Sequence, residues 1–292
     1  MNAITTAPGP ESTGPLVPLI ESDSSLEGFT IYRPMDVSGD KLPIVVWGNG
    51  ACMAFGGMYR GFLSEIASRG YLVIALGKFG PEDVRTMQPP ARPPGQQGQP
   101  GAPAGPPRDF KMPTTWPMMI EAIEWAIQQN TDRQSRFAGK IAVNKIALMG
   151  HSCGGLQAQR ASLDSRVTTT LLLNSGAFKP GADGPMRDIG FTADDVVKLH
   201  APIVYIEGGK SDMAYAQGWH NYELTKVPAM FIDLDCGHGG TYAQPQGGEY
   251  SKVTAAWLDW HLKGDAGAKD MLMSARGFAS DSKWTIERKN WN

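Results

Sequence analysis

The sequence has no long hydrophobic run. No stretch approaches the ~20 apolar residues that a membrane-spanning helix needs, so we expect a soluble protein that does not bind a membrane. The first 15 residues also lack the basic segment and the apolar segment of a signal peptide. The protein is therefore expected to be either cytoplasmic or secreted, with its signal peptide already removed in the second case.

Excess charge of one sign is also missing. The 27 basic residues nearly balance the 29 acidic ones, which leaves a formal net charge of −2. There is no basic run and no stretch in which basic and aromatic residues alternate. Because nucleic-acid binding depends on concentrated positive charge, we expect no nucleic-acid partner.

Cysteine is scarce. The three cysteines, Cys52, Cys153 and Cys236, cannot all pair within one chain, and their spacing matches no zinc site, so we expect no metal. We expect three unpaired, buried side chains that line a tight pocket. A disulfide between Cys236 and either Cys153 or Cys52 is the alternative.

Proline, by contrast, is concentrated in one segment. Residues 89–107 hold 8 of the 22 prolines, which excludes a helix or a central strand there. We interpret this segment as an exposed loop insertion, either a passive one or a lid over a site. Residues 1–27 are polar and are expected to form a loosely held lead-in, and residues 28–292 a single domain.

Apolar runs alternate with segments of helical periodicity, which predicts an α/β fold with a mostly parallel sheet of about eight strands and helices on both faces. The predicted strands are Phe29–Arg33, Ile44–Trp47, Tyr71–Leu76, Ile146–Met149, Thr168–Leu173, Pro202–Ile206 and Ala229–Leu234. The predicted helices are Tyr59–Ala67, one capped by Thr114 or Thr115 that runs to Gln129, Gly155–Leu163, Ala193–Leu199 and Glu249–Lys263.

The strand that ends at Met149 leads into Gly-His-Ser-Cys-Gly, residues 150–154. This sequence fits a nucleophile elbow, a sharp strand-to-helix turn that projects the hydroxyl of Ser152 above the sheet. Side chains at the two flanking positions would collide, which explains Gly150 and Gly154. The amide of Cys153 would then face the oxyanion that forms when a substrate carbonyl is attacked. A cysteine nucleophile is less favoured because Ser152 holds the elbow position.

A serine hydroxyl needs a base to accept its proton and a carboxylate to orient that base. His238, between two glycines after the last predicted strand, is the candidate base, and Asp212, after an earlier strand, is the candidate acid. All three residues follow the carboxyl ends of predicted strands, where open α/β sheets place their sites. Surface or packing roles suit the other histidines, which are His151, His200, His220 and His261. As acids, Glu207 lies too early on its strand, and Asp233 and Asp235 lie too close to His238.

The loop after Ile44–Trp47 is the candidate source of the second oxyanion donor, the amide of Ala51. The same loop could be compared with a dinucleotide-binding fingerprint. Met53 occupies the position of the third glycine, and the next strand lacks the acidic residue that would bind a ribose. We therefore expect no dinucleotide and no other cofactor.

Four stretches together resemble the α/β-hydrolase superfamily from about residue 29 to residue 263. They are W-G-N-G-A-C (47–52), G-H-S-C-G-G (150–155), G-H-G-G-T-Y (237–242) and W-L-D-W-H-L-K-G-D (257–265). They are similar to serine esterases near the dienelactone hydrolase and cutinase-like polyester hydrolase branches. The chain departs from the dienelactone branch at Ser152, where a cysteine is usual, and from the lipases with an H-G-G-G loop at Asn49.

The resemblance implies a cofactor-free Ser-His-Asp hydrolase that acts on small or polymeric carboxylic esters. The alternatives are an acyltransferase or peptidase with the same triad, and a binding protein that has this fold without catalysis. Six residues, Met53, Phe55, Met58, Trp116, Met118 and Met119, could line an acyl pocket or could equally belong to the core. The substrate-binding residues and the oligomeric state are left open.

Overall fold

The computed structural model describes residues 3–80, 112–182 and 189–291. The proline-rich segment at 89–107 lies outside the described residues. Ten strands form one sheet. They are β1 (Ile4–Pro8), β2 (Pro18–Asp23), β3 (Phe29–Pro34), β4 (Leu42–Gly48), β5 (Leu72–Leu76), β6 (Ile141–His151), β7 (Thr169–Leu173), β8 (Ile203–Glu207), β9 (Ala229–Leu234) and β10 (Trp284–Lys289).

The strand order in the sheet is β1-β2-β3-β5-β4-β6-β7-β8-β9-β10. The central run from β5 to β9 is parallel, and antiparallel pairs extend the sheet at both ends. Strand β4 is buried along its whole length, as its continuous apolar run predicts. The α/β class and the mostly parallel sheet are therefore confirmed, and the sheet has ten strands rather than about eight.

Helices cover both faces of the sheet. They are α1 (Arg60–Ala67), α2 (Trp116–Thr131), α3 (Cys153–Ala161), α4 (Tyr215–Leu224), α5 (Gly248–Leu258) and α6 (Ala266–Met273). On β4, Ile44 and Val46 belong to the core cluster that includes residues of α2, α3 and α4. Val45 and Trp47 belong to the opposite cluster, with residues of α1, α5 and α6. This alternation follows from the two-residue period of a strand.

The prediction of a loosely held lead-in at 1–27 differs from the structure. Strand β1 pairs antiparallel with β2, and β2 pairs antiparallel with β3, so this part of the chain extends the sheet. Strand β2 was missed because charged residues usually indicate an exposed segment, whereas Glu21 and Asp23 are buried in spite of their charge. Arginine side chains from β3 and from the segment after α2 neutralise them.

At the other end of the chain, β10 completes the sheet by pairing with β9. The helical segment after β9 is longer than α5, because one π-helical turn, Asp259–Lys263, continues it to Gly264. The sequence pattern did not predict α6 or β10. In the described ranges, no helix is both long and apolar enough to cross a bilayer.

The parallel arrangement determines where the loops meet. Strands β4, β6, β7 and β8 run side by side in one direction, so the segments that follow them emerge at one edge of the sheet. The segment after β9 joins them there. All the predicted site residues belong to these segments.

Candidate active site

Strand β6 runs into α3 through a one-residue turn at Ser152. Ser152 has φ 52° and ψ −119°, a backbone conformation that non-glycine residues rarely adopt. A Cβ at Gly150 would overlap the backbone of Gly154, and one at Gly154 would overlap the backbone of Gly48. Only glycine allows the close approach of strand, turn and helix that exposes the Ser152 hydroxyl.

The structure brings Ser152, His238 and Asp212 together. The distance from the Ser152 Oγ atom to the His238 Nε2 atom is 2.9 Å, and that from the His238 Nδ1 atom to the Asp212 Oδ1 atom is 2.6 Å. Since a carboxylate only accepts hydrogen bonds, Nδ1 carries the proton and donates to Asp212. Nε2 is then the lone-pair nitrogen that accepts from the serine hydroxyl. This is the arrangement in which an imidazole can remove the serine proton.

Asp212 is buried, with 3% of its surface exposed. Burial raises the pKa of its carboxyl, but hydrogen bonds from His238, the Ala214 amide and Asn174 outweigh that effect and hold the pKa at about 2. The carboxylate is therefore charged at neutral pH. A carboxylate held in this position can stabilise the positive charge that forms on His238 when the imidazole accepts the serine proton.

Asn174 is a site residue that our sequence reasoning missed. It follows β7, and its Nδ2 atom donates to the Asp212 Oδ2 atom at 2.7 Å and lies 3.0 Å from the Tyr250 hydroxyl. Its own backbone has φ 51°. The available signal was the polar Asn-Ser-Gly triplet at the carboxyl end of a buried strand. Because Asn174 donates to the second carboxylate oxygen of Asp212, it restricts the rotation of the Asp212 side chain.

The two candidate oxyanion donors lie on neighbouring segments. The Cys153 amide is the first of α3, where helix geometry leaves amides without an intrahelical acceptor. Ala51 lies in the short 3₁₀ turn after β4 and has φ 52°. The Cys52 amide donates to the Asn49 carbonyl at 3.1 Å, whereas no carbonyl in the described ranges accepts from the amides of Ala51 or Cys153.

A disulfide joins these two segments. Cys52 and Cys153 are bonded, with their Cα atoms 5.2 Å apart, and Cys236 is a half-buried free thiol. The expectation of three unpaired cysteines is therefore wrong for Cys52 and Cys153, and neither alternative pairing with Cys236 occurs. The parallel pairing of β4 with β6 explains the outcome, because it brings together two segments that are 101 residues apart in the chain.

His151 has a more specific place than the packing role expected from the sequence. Its Nε2 atom lies 2.8 Å from the His238 carbonyl oxygen, and its Nδ1 atom lies 2.7 Å from the Tyr59 hydroxyl. Because a carbonyl only accepts, Nε2 is the protonated nitrogen and Nδ1 accepts from Tyr59. Burial lowers the pKa of His151 to about 4, so the ring is neutral at neutral pH. His151 thus holds the backbone of the candidate base.

The other histidines and carboxylates considered as candidates make different contacts. His200 contacts the Val167 carbonyl, and His220 lies on α4 near Glu223. Glu207 is fully buried, and its carboxylate accepts from the Ser175 amide at 3.2 Å. Asp233 accepts from the Gly209 amide at 2.7 Å. Among the described residues, no cluster of three or more His, Cys, Asp or Glu side chains is arranged to hold a metal ion.

A cavity of about 250 Å³ opens beside Ser152 and His238. Its apolar wall includes Leu156 from α3, Phe178 from the segment after β7, and Met213 before α4. None of the six methionine and aromatic residues predicted as a possible acyl pocket is among the described residues that line it. Met119, for example, is fully buried in the core. Met53, Phe55 and Met58 follow β4, and Trp116, Met118 and Met119 lie on α2, whereas the apolar wall comes from α3 and from the segments after β7 and β8.

Comparison with protein-family models and with curated proteins finds no match to this chain.

Proposed function

We propose that the protein is a serine hydrolase of carboxylic esters with an α/β-hydrolase fold. The observation that carries the proposal is the pair of contacts from His238, one to Ser152 and one to Asp212. The strained turn at Ser152 and the parallel sheet support it, because both belong to the arrangement in which such triads occur. An apolar cavity next to the hydroxyl suits the acyl or alcohol part of an ester.

In the proposed reaction, His238 takes the proton of Ser152 as the Oγ atom attacks the ester carbonyl. The amides of Cys153 and Ala51 then donate to the oxyanion. The protonated His238, stabilised by the Asp212 charge, passes its proton to the leaving alkoxide, and an acyl-Ser152 remains. Water activated by His238 attacks the acyl-enzyme by the same route, releases the acid and restores the hydroxyl.

The test is the hydrolysis of p-nitrophenyl acetate, butyrate and octanoate by the wild type and by Ser152→Ala. We expect the wild type to turn over and the variant to lose roughly 10⁴- to 10⁶-fold in kcat, as removal of a triad nucleophile typically does. Ser282→Ala, at an exposed serine, is the matched control and should keep the wild-type rate. The acyl-chain length that is hydrolysed fastest would indicate how long an acyl group the cavity accommodates.

The alternatives give different results in the same assay. An acyltransferase would form more ester than acid when an alcohol is added, and a peptidase would cleave the corresponding p-nitroanilides. If the folded wild type and Ser152→Ala are equally slow on all these substrates, the catalytic proposal is wrong and a binding protein is the remaining interpretation.

A further inference from the structure

We propose that the Cys52–Cys153 disulfide is a positioning element of the oxyanion hole, and that breaking it lowers kcat while substrate binding stays the same. This inference rests on the proposed function and goes further, because it assigns a catalytic consequence to a bond outside the triad of Ser152, His238 and Asp212.

The bond joins the two candidate donors almost directly. One donor is the amide of Cys153 itself, and the other belongs to Ala51, the residue before Cys52. The two cysteines are almost completely buried, with 0% and 3% of their surface exposed. A Cα separation of 5.2 Å therefore limits how far the two amides can move relative to each other.

The backbone at both ends of the bond is in an unfavourable conformation. Ala51, Cys52 and Ser152 have φ values of 52°, 51° and 52°, in the left-handed region that disfavours residues with a Cβ. A residue in this conformation persists only when its surroundings enforce it. A covalent bond between the two turns is one such constraint.

A second, weaker connection spans the same gap. The Cys52 carbonyl accepts from the Thr114 amide at 3.1 Å and from the Thr114 hydroxyl at 2.8 Å. The Gln157 side chain on α3 donates to the Thr114 carbonyl at 2.6 Å. These bonds would keep the loop near α3 without the disulfide. We therefore expect a loosened oxyanion hole in a protein that still folds.

Loosening should affect the transition state more than the bound substrate. Donors act on the oxyanion only when they lie about 2.7–3.1 Å from it, and removal of one donor costs roughly 10²- to 10³-fold in kcat. Both amides stay in the chain when the disulfide is broken, so we expect a smaller loss of about 10- to 100-fold. Cys153 itself lines the cavity, but the apolar wall of Leu156, Phe178 and Met213 keeps its side chains when the bond is broken, so KM should change little.

The experiment compares Cys52→Ala, Cys153→Ala and the double variant with the wild type on p-nitrophenyl butyrate. Alanine keeps the backbone amide at both positions. We expect kcat to fall 10- to 100-fold in all three variants, with KM within about 2-fold. The inhibition constant of an alkylboronic acid, whose serine adduct places an oxygen in the oxyanion hole, should rise by the same factor as kcat falls. Because each substitution breaks the same bond, the double variant should match the singles.

Leu272→Ala serves as the stability control, since Leu272 is fully buried on α6 in the opposite core cluster. Its melting temperature should fall by about as much as those of the cysteine variants, because it removes a buried side chain, and it should keep the wild-type kcat at temperatures where it is folded. If a cysteine variant does not fold, the folded wild type is treated with a dithiol, which supplies two electrons and two protons to the disulfide and is itself oxidised. Alkylation must then detect two thiols in addition to Cys236, and kcat should fall by the same factor.

The proposal is overturned if the disulfide-free protein, folded by circular dichroism, keeps kcat within 2-fold, or if KM rises while kcat stays constant. A wild type without Ser152-dependent turnover would instead refute the proposed function. The two failures are therefore distinguishable.

Discussion

At the scale of single residues, two buried carboxyl groups five positions apart differ in charge because their partners differ. Asp212 accepts from His238, Ala214 and Asn174, and its pKa lies at about 2. Burial and the Asp212 charge raise the pKa of Glu207 well above its usual range, and one of its oxygens is buried without a hydrogen-bond partner. Of these two carboxyl groups, only that of Asp212 is therefore charged at neutral pH and able to stabilise a positive charge on His238.

This difference predicts the effect of Asp212→Asn. The asparagine amide has the size of the carboxyl but no charge. Its NH₂ group would donate to the His238 Nδ1 atom, which in the wild type donates to Asp212. His238 would then carry its proton on Nε2 and could not accept the proton of Ser152. We expect kcat to fall about 10³- to 10⁴-fold, in line with the effect in well-studied triads. Steady-state kinetics on p-nitrophenyl butyrate measure it.

Asp235→Asn is the control, because Asp235 is an exposed carboxylate three residues before His238. It should stay within about 2-fold of the wild type. Equal losses in both variants would show that general electrostatics, and not the contact with His238, accounts for the effect.

At the scale of elements, strand β2 is attached to the sheet by an ion-pair network as well as by its backbone. The Arg136 guanidinium reaches the Glu21 carboxylate at 2.9 Å and the Asp23 carboxylate at 2.7 Å, and Arg33 also pairs with Glu21. Each carboxylate side chain is only 1% exposed. Buried charges of this kind are tolerated only when they are paired.

We expect Glu21→Ala to lower the free energy of unfolding by about 3–5 kcal/mol, because two arginines would lose a buried partner. Urea denaturation measures the change. The matched control is Glu27→Ala, whose ion pair with Lys78 is exposed on both sides and should therefore contribute little to stability. A similar small loss in both variants would mean that the network does not anchor β2.

The π-helical turn after α5 carries a partly buried titratable group, His261. The ring of His261 lies 4.2 Å from that of Trp257 and 4.3 Å from that of Trp260, and its Nε2 atom is buried without a hydrogen bond. Burial lowers its pKa from 6.5 to about 4. Between these two values the unfolded chain binds a proton at this position and the folded chain does not, so stability decreases as the pH falls.

We expect His261→Phe to remove this part of the pH dependence while keeping an aromatic ring in place. The stability of the variant relative to the wild type should rise as the pH falls from 6.5 to about 4, by about 1.4 kcal/mol for each unit by which the pKa is lowered. Urea denaturation at several pH values tests this. Parallel curves for the two proteins would contradict it. Some slope should remain in both, since His151 is also buried and neutral.

At the scale of the whole molecule, the sequence predicts the parts of the fold whose residues carry their own signal. The continuous apolar runs of β4 and β6 and the strand-turn-helix pattern around Ser152 are local, and they predicted the central sheet and the position of the elbow. The order of Ser152, Asp212 and His238 along the chain then predicted their proximity, since all three follow strands that end at one edge.

The missed features depend on contacts between distant residues. Glu21 and Asp23 make β2 look like an exposed segment until Arg136, more than a hundred residues later, neutralises them. The Cys52–Cys153 pairing follows from the neighbouring positions of β4 and β6, which the order of strands in the sequence does not reveal. The roles of His151 and Asn174 could not be predicted from a sequence motif, because each residue acts by positioning another residue of the site, His238 or Asp212.

The central claim is that Ser152 is an activated nucleophile, and a fluorophosphonate probe followed by peptide mass spectrometry tests it most directly. The probe reacts covalently with serines whose proton a neighbouring base removes, whatever the natural ester is. We predict a single adduct, on the peptide that contains Ser152, absent in Ser152→Ala and formed far more slowly in Asp212→Asn. A folded wild type that forms no adduct, or forms one at another serine, would contradict the account.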